Sequence, residues 1–132
     1  MVPKFRCWDE PNKTMRFNDE IVIWSGQVYI NEKKKLDSII KGYSCLPKHL
    51  MQSTGLKDKN GVDIFEGDIV AYDDYEFSYT AIVKKETYYF WLKGIEPDDA
   101  FHLEDISDEY DDTTDLTVIG NIYENPELLE VK

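Results

Sequence analysis

The residues able to attack a bond, move a proton or hold a metal are few and scattered. Nucleophilic catalysis needs an activated Ser, Cys or Lys with a base in reach, and the histidines available are His49 and His102. Nothing in the spacing brings either to Cys7 or Cys45. The two cysteines stand 38 positions apart, outside any C-x-x-C pattern, so the expectation is two separate buried thiols in a reducing compartment. A structural zinc site takes four Cys or His ligands; two of each are present, without ligand spacing. Gly55, Gly61 and Gly67 lack the K-[ST] or G-x-G context of a phosphate-binding loop. No cofactor is expected.

Carboxylates are abundant, and their placement says more than their number. Asp58, Glu66 and Asp68 flank glycines, where a carboxylate commonly accepts local backbone N–H bonds. Residues 96–115 hold ten acids, including Asp98, Asp99, Asp108, Glu109, Asp111 and Asp112, and no Lys or Arg. A calcium loop there would need a turn glycine and a closing Glu, and 108–113 has neither. The stretch reads as a solvated connector, or as a partner surface that imitates the charge of a phosphate backbone. The aromatics Trp8, Trp24, Tyr72, Tyr75 and Tyr79, with Tyr88, Tyr89 and Trp91, could stack bases. In acidic surroundings they read instead as core or subunit interface.

The elements that must carry these groups belong to a chain of 132 residues, enough for one ordinary core. A hydrophobic fraction of 42% and an aromatic fraction of 14% exclude a disordered chain. The net charge of -12 is regional. Residues 1–66 carry 9 acids and 11 bases, and residues 67–132 carry 18 acids and 4 bases. Nucleic acids are held chiefly by Lys and Arg on phosphates, so the second half argues against nucleic acid as a partner. The longest apolar runs, Ile21 to Trp24 and Tyr88 to Leu92, fall far short of the roughly 18 residues of a spanning helix. No membrane is expected. The first residues lack the apolar region of a signal peptide, which predicts a cytoplasmic protein.

Alternation of Phe5 and Cys7 with Arg6 and Trp8, then turn residues 9–13, then 14–17, predicts an N-terminal hairpin. Ile21 to Trp24 and Gln27 to Ile30 about Ser25-Gly26 predict another. Asn31 caps a predicted short helix with Leu36, Ile39 and Ile40 on one face and Lys33 to Lys35 exposed. Asn60-Gly61 supplies a hairpin turn, Glu66-Gly67-Asp68 a second punctuation, and 77–84 with 87–93 a third hairpin. Residues 97–106 suit a helical turn or an irregular connection equally. Leu116 to Tyr123 predicts a strand interrupted at Gly120, and Asn125-Pro126 opens a closing helical turn. The chain is therefore expected to be mainly β with minor helix. Its parts are a small α+β part with hairpins over 1–50, and an SH3-like β-barrel or strongly bent antiparallel sheet over 51–132.

Three blocks, Lys4 to Asp9, Met51 to Val70 and Val118 to Leu129, together closely resemble the YopX family of phage and prophage proteins. The family pattern usually has Ala where Cys7 stands and an aromatic near Ser53. The resemblance implies a phage or prophage origin, residence in a bacterial cytoplasm, a β-rich fold with a barrel-like C-terminal part, self-association, and no established catalytic activity. Within the blocks, Gly55, Asn60, Gly61, Gly67, Asp68 and Gly120 read as fold determinants at turns and close backbone approaches. The expected function is that of a non-enzymatic, oligomeric protein-binding module with an unidentified protein partner. An acidic nucleic-acid mimic is the alternative, and a carboxylate- or metal-dependent hydrolase a weaker one.

Overall fold

A computed structural model describes residues 4–17, 20–30, 44–108 and 110–130. The predicted helix after Asn31, and Glu109, lie outside the described residues. The chain is mostly β, built of antiparallel sheets, one of them curled into a half-barrel. It divides into two compact units, Met1–Gln52 and Ser53–Lys132.

In the first unit, β1 (Phe5–Asp9) pairs with β2 (Thr14–Phe17), Trp8 facing Met15 across the ladder. The first residues of β6 (Leu50–Lys57) add to the other edge of β1. Both edges of β1 are paired, and Arg6 through Asp9 are buried without the alternation of a one-sided sheet. The Asp9 carboxylate organises the hairpin by accepting from the Asn12 side-chain amide at 3.0 Å and from Arg16 Nε at 3.0 Å. A second sheet joins β3 (Ile21–Trp24), β4 (Gln27–Ile30) and β5 (Ser44–Cys45). Ser25 and Gly26 make its two-residue turn at φ 50° and 76°, the left-handed pair that matches strand twist. A small core gathers Cys7, Val28 and Ile30, with Ile21 and Leu50 packed against it. Cys7 is disulfide-bonded, and among the described residues there is no free cysteine. The expectation of two separate thiols is thereby corrected: spacing along the chain carries no information about which residues folding brings together.

In the second unit, the remainder of β6 pairs with β7 (Asp63–Phe65), and a register shift lies between Ser53 and Lys57. Gly55 sits within that shift at φ 81°. The half-barrel sheet has the order β11 (Ala100–His102), β10 (Phe90–Glu96), β9 (Ser78–Lys85), β8 (Asp68–Asp73) and β12 (Thr117–Asn121). Tyr72 pairs with Tyr79, Val70 with Ala81, Val83 with Leu92 and Leu92 with Phe101. These residues therefore share one face. Toward one end that face meets Ile64, Leu103 and Leu116 in the main core. Residues 97–106 resolve into β11 and a single 3-10 turn, Leu103–Ile106. A second such turn, Pro126–Leu129, follows β12.

Candidate functional site

The turn residues of the sequence blocks are fastened by side chains to backbone. Asp58, 1% exposed, accepts at Oδ1 from the Asn60 and Val62 N–H groups, each at 2.9 Å. Its Oδ2 accepts from Val118 N–H at 3.0 Å, sixty residues along the chain. One carboxylate thus ties the Asn60-Gly61 turn, where Gly61 has φ 83°, to β12. Asp68 accepts from Phe65 N–H at 2.7 Å, and the Gly67 N–H donates to Val83 at 2.8 Å. At the register shift in β12, Gly120 lies against Asn125. A Cβ there would stand 2.5 Å from Asn125 Oδ1, the atom that accepts from Asn121 N–H.

The acidic candidates fall on two segments. Asp108, Asp111 and Asp112 lie on a loop closed by the Ser107–Thr114 bridge. Asp108 Oδ1 accepts from Tyr110 N–H at 2.8 Å, and Asp111 Oδ1 from the Thr113 hydroxyl at 2.6 Å. The hydroxyl of Thr113 holds the Asp111 carboxyl below its ordinary range. Asp112 takes φ 58° and accepts at its carbonyl from Lys57 N–H. The carboxylates of 108 and 111 therefore shape their own loop. Asp98 and Asp99 are exposed on the turn between β10 and β11, which contains a cis Glu96–Pro97 peptide.

That second turn edges a groove no motif announces. Where the shared face of the half-barrel leaves its core, Tyr72, Phe77, Tyr79, Phe101 and Asp115 line a cavity of about 330 Å³, with Leu92, Ile106 and Leu116 at its base. Phe77 stacks on Tyr79 (centroids 6.0 Å, planes 16° apart) and Phe101 meets Tyr79 edge-on (5.2 Å, 89°). Tyr72 stands 6.3 Å from Phe77, its hydroxyl donating to Asp74 Oδ2 at 2.7 Å. Phe77 and Phe101 remain 40% and 41% exposed, so the groove is open to solvent. Tyr79 anchors it by donating its hydroxyl to the Asp99 carbonyl at 2.7 Å, and that carbonyl also accepts from Gly94 N–H at 2.8 Å. Burial, with the charges of Asp99 and Asp98, pushes the Tyr79 phenol up to about 12.

Gly94 makes this closeness feasible. A Cβ there would stand 2.5 Å from the Asp99 carbonyl oxygen and 2.6 Å from its nitrogen. Behind β10 a smaller depression carries Trp91 and a Tyr89–His102 stack at 4.5 Å. His102 is thereby engaged with a ring, and His49 is buried in the first unit. Among the described residues no three His, Cys, Asp or Glu side chains converge in a metal-holding group. Of the groove residues, Tyr72 and Tyr79 stand among the sequence candidates, while Phe77, Phe101, Asp115 and Gly94 do not. Only the register of β8 to β11 brings them together.

The YopX family model, described as YopX protein, matches residues 4–130. Among solved structures, protein EF1440 from Enterococcus faecalis is 33% identical with a TM-score of 0.62, covering 98% of this chain and 99% of that one. Protein yopX from Bacillus subtilis is 22% identical with a TM-score of 0.63, over 96% and 98%. No curated protein matches.

Proposed function

The chain belongs to the YopX family, and from that premise we propose that it is a phage- or prophage-encoded accessory protein of the bacterial cytoplasm, non-enzymatic and self-associating, that acts by binding another protein. The observation that carries the reading is the solvent-open aromatic groove of the second unit. Tyr79 belongs to the main core, but a protein that needed Phe77 and Phe101 only for that core would cover them; aromatic rings left open at a cavity are the composition of a recognition surface. The non-enzymatic part draws on the carboxylates. Of the three buried acids of the family blocks, Asp58 and Asp68 hold backbone amides and Asp9 holds Asn12 and Arg16, structural uses that leave little for proton transfer. Among the described residues no helix is long and apolar enough to cross a membrane.

Self-association draws further support from exposed apolar residues on the first unit, where Trp24 is 72% exposed and Ile23 47% exposed at one hairpin end. Light scattering during size-exclusion chromatography at tens of micromolar should give a mass at least twice the 15.5 kDa of one chain. Trp24→Ser should shift that mass toward one chain without altering the far-ultraviolet spectrum. A parent chain that elutes as a strict monomer contradicts self-association.

A further inference from the structure

We propose that the groove bounded by Tyr72, Phe77, Tyr79 and Phe101 receives the guanidinium of an arginine carried by an extended segment of the partner protein; this rests on the protein-binding reading above and names the chemistry it recognises. Aromatic faces carry negative potential and attract cations set over them, arginine more often than lysine. Two such rings, Phe77 and Phe101, are about two-fifths exposed here, with Tyr72 half-buried beside them and Tyr79 buried beneath. The lining also includes Asp115 and, among the described residues, no Lys, Arg or His. Asp98 and Asp99 lie on the turn that holds Tyr79, and their charge is felt at its hydroxyl.

The setting extends the match. Residues 53–132 carry 21 Asp and Glu against 6 Lys and Arg, so the unit as a whole draws a basic segment toward its surface. A purely apolar occupant would satisfy the rings but draw nothing from the exposed Asp115 beside them. An acidic occupant would meet repulsion at Asp115, Asp98 and Asp99. Arginine answers both demands, because its planar head stacks on a ring while its N–H edge reaches a carboxylate.

The probe is an acetylated and amidated Gly-Arg-Gly tripeptide, set against the same peptide with uncharged, nearly isosteric citrulline, in an NMR amide-shift titration of the full chain. The arginine peptide should shift residues of the groove and bind about tenfold more tightly than the citrulline peptide. Asp115→Asn should weaken it about fivefold with the spectrum otherwise preserved. Equal affinity of the two peptides at the groove would overturn the cation assignment while leaving the protein-binding reading in place. Arginine-dependent shifts confined to the 107–114 loop would overturn the site. Failure of the protein-binding reading itself would appear separately, in the cross-linking of whole partner proteins at Phe101.

Discussion

Asp58→Ala should lower the unfolding free energy by about 1–3 kcal/mol, because it strips the acceptor from three part-buried backbone N–H groups, those of exposed Asn60 and Val62 being able to turn to water, and a buried unpaired donor costs about 1–3 kcal/mol. The donors are Asn60 and Val62 in the turn and Val118 on β12. The carboxylate adds to two backbone bonds at this point, from Asp58 N–H to the Val62 carbonyl and from Lys59 N–H to the Leu116 carbonyl. Against a total stability of typically 5–15 kcal/mol, the loss is large. Asp58→Asn retains one oxygen and turns an N–H toward a donor, so it should fall between parent and alanine variant. Urea unfolding of the three chains checks the order; an alanine variant within about 0.5 kcal/mol of the parent would mean that Asp58 is a bystander.

Gly94→Ala should damage the groove and the fold together. Its Cβ would overlap the backbone of Pro97 and Asp99, and relief requires moving the 97–99 turn away from β10, at a cost of about 1–3 kcal/mol. The Asp99 carbonyl would then leave both Gly94 N–H and the Tyr79 hydroxyl. A spectroscopic consequence separates this from general loosening. In the parent, Tyr79 is raised from 10.0 to about 12 by burial first and by Asp99 and Asp98 second, so its phenolate should form above the ordinary tyrosine range in an alkaline titration. In the variant that step should move back toward the ordinary tyrosine range, and Tyr79→Phe identifies it by deletion. The sign for stability follows. The folded state holds this proton more tightly than the unfolded state, so the contribution is fully present below pH 10 and lost as pH rises toward 12. An unchanged Tyr79 step in Gly94→Ala would show that the turn does not govern it.

The legible and illegible parts of this chain divide along physical lines. Local turn chemistry was readable, since Asn60-Gly61 and Glu66-Gly67-Asp68 each act within a few residues and their conformations depend on immediate neighbours. Aromatic and β-branched runs placed 77–84 and 87–93 on a hairpin, now β9 and β10, and the three-block resemblance pointed to the family. Partnerships across strands were not readable. Asp58 reaching Val118, Gly94 lying under Asp99, and Phe77 and Phe101 meeting around Tyr79 depend on register, which bulges such as those at Gly94 and Gly120 displace by a residue. The same holds for the bonded state of Cys7, which depends on contacts far along the chain. The acidic stretch drew attention by composition, yet Asp108 and Asp111 hold their own loop, and among the described residues the acid lining the groove is Asp115, the last of that stretch.

The account turns on the groove being where a partner protein sits. A photoreactive benzoylphenylalanine placed at Phe101, compared with one at the equally exposed Val62 in the Asn60-Gly61 turn, reads that directly in phage-carrying bacteria. Phe101 should yield a discrete cross-linked species that competes away with added unlabelled protein, while Val62 yields none. No cross-link at Phe101, or the same products from both positions, would contradict the claim that this aromatic groove is a protein-binding surface.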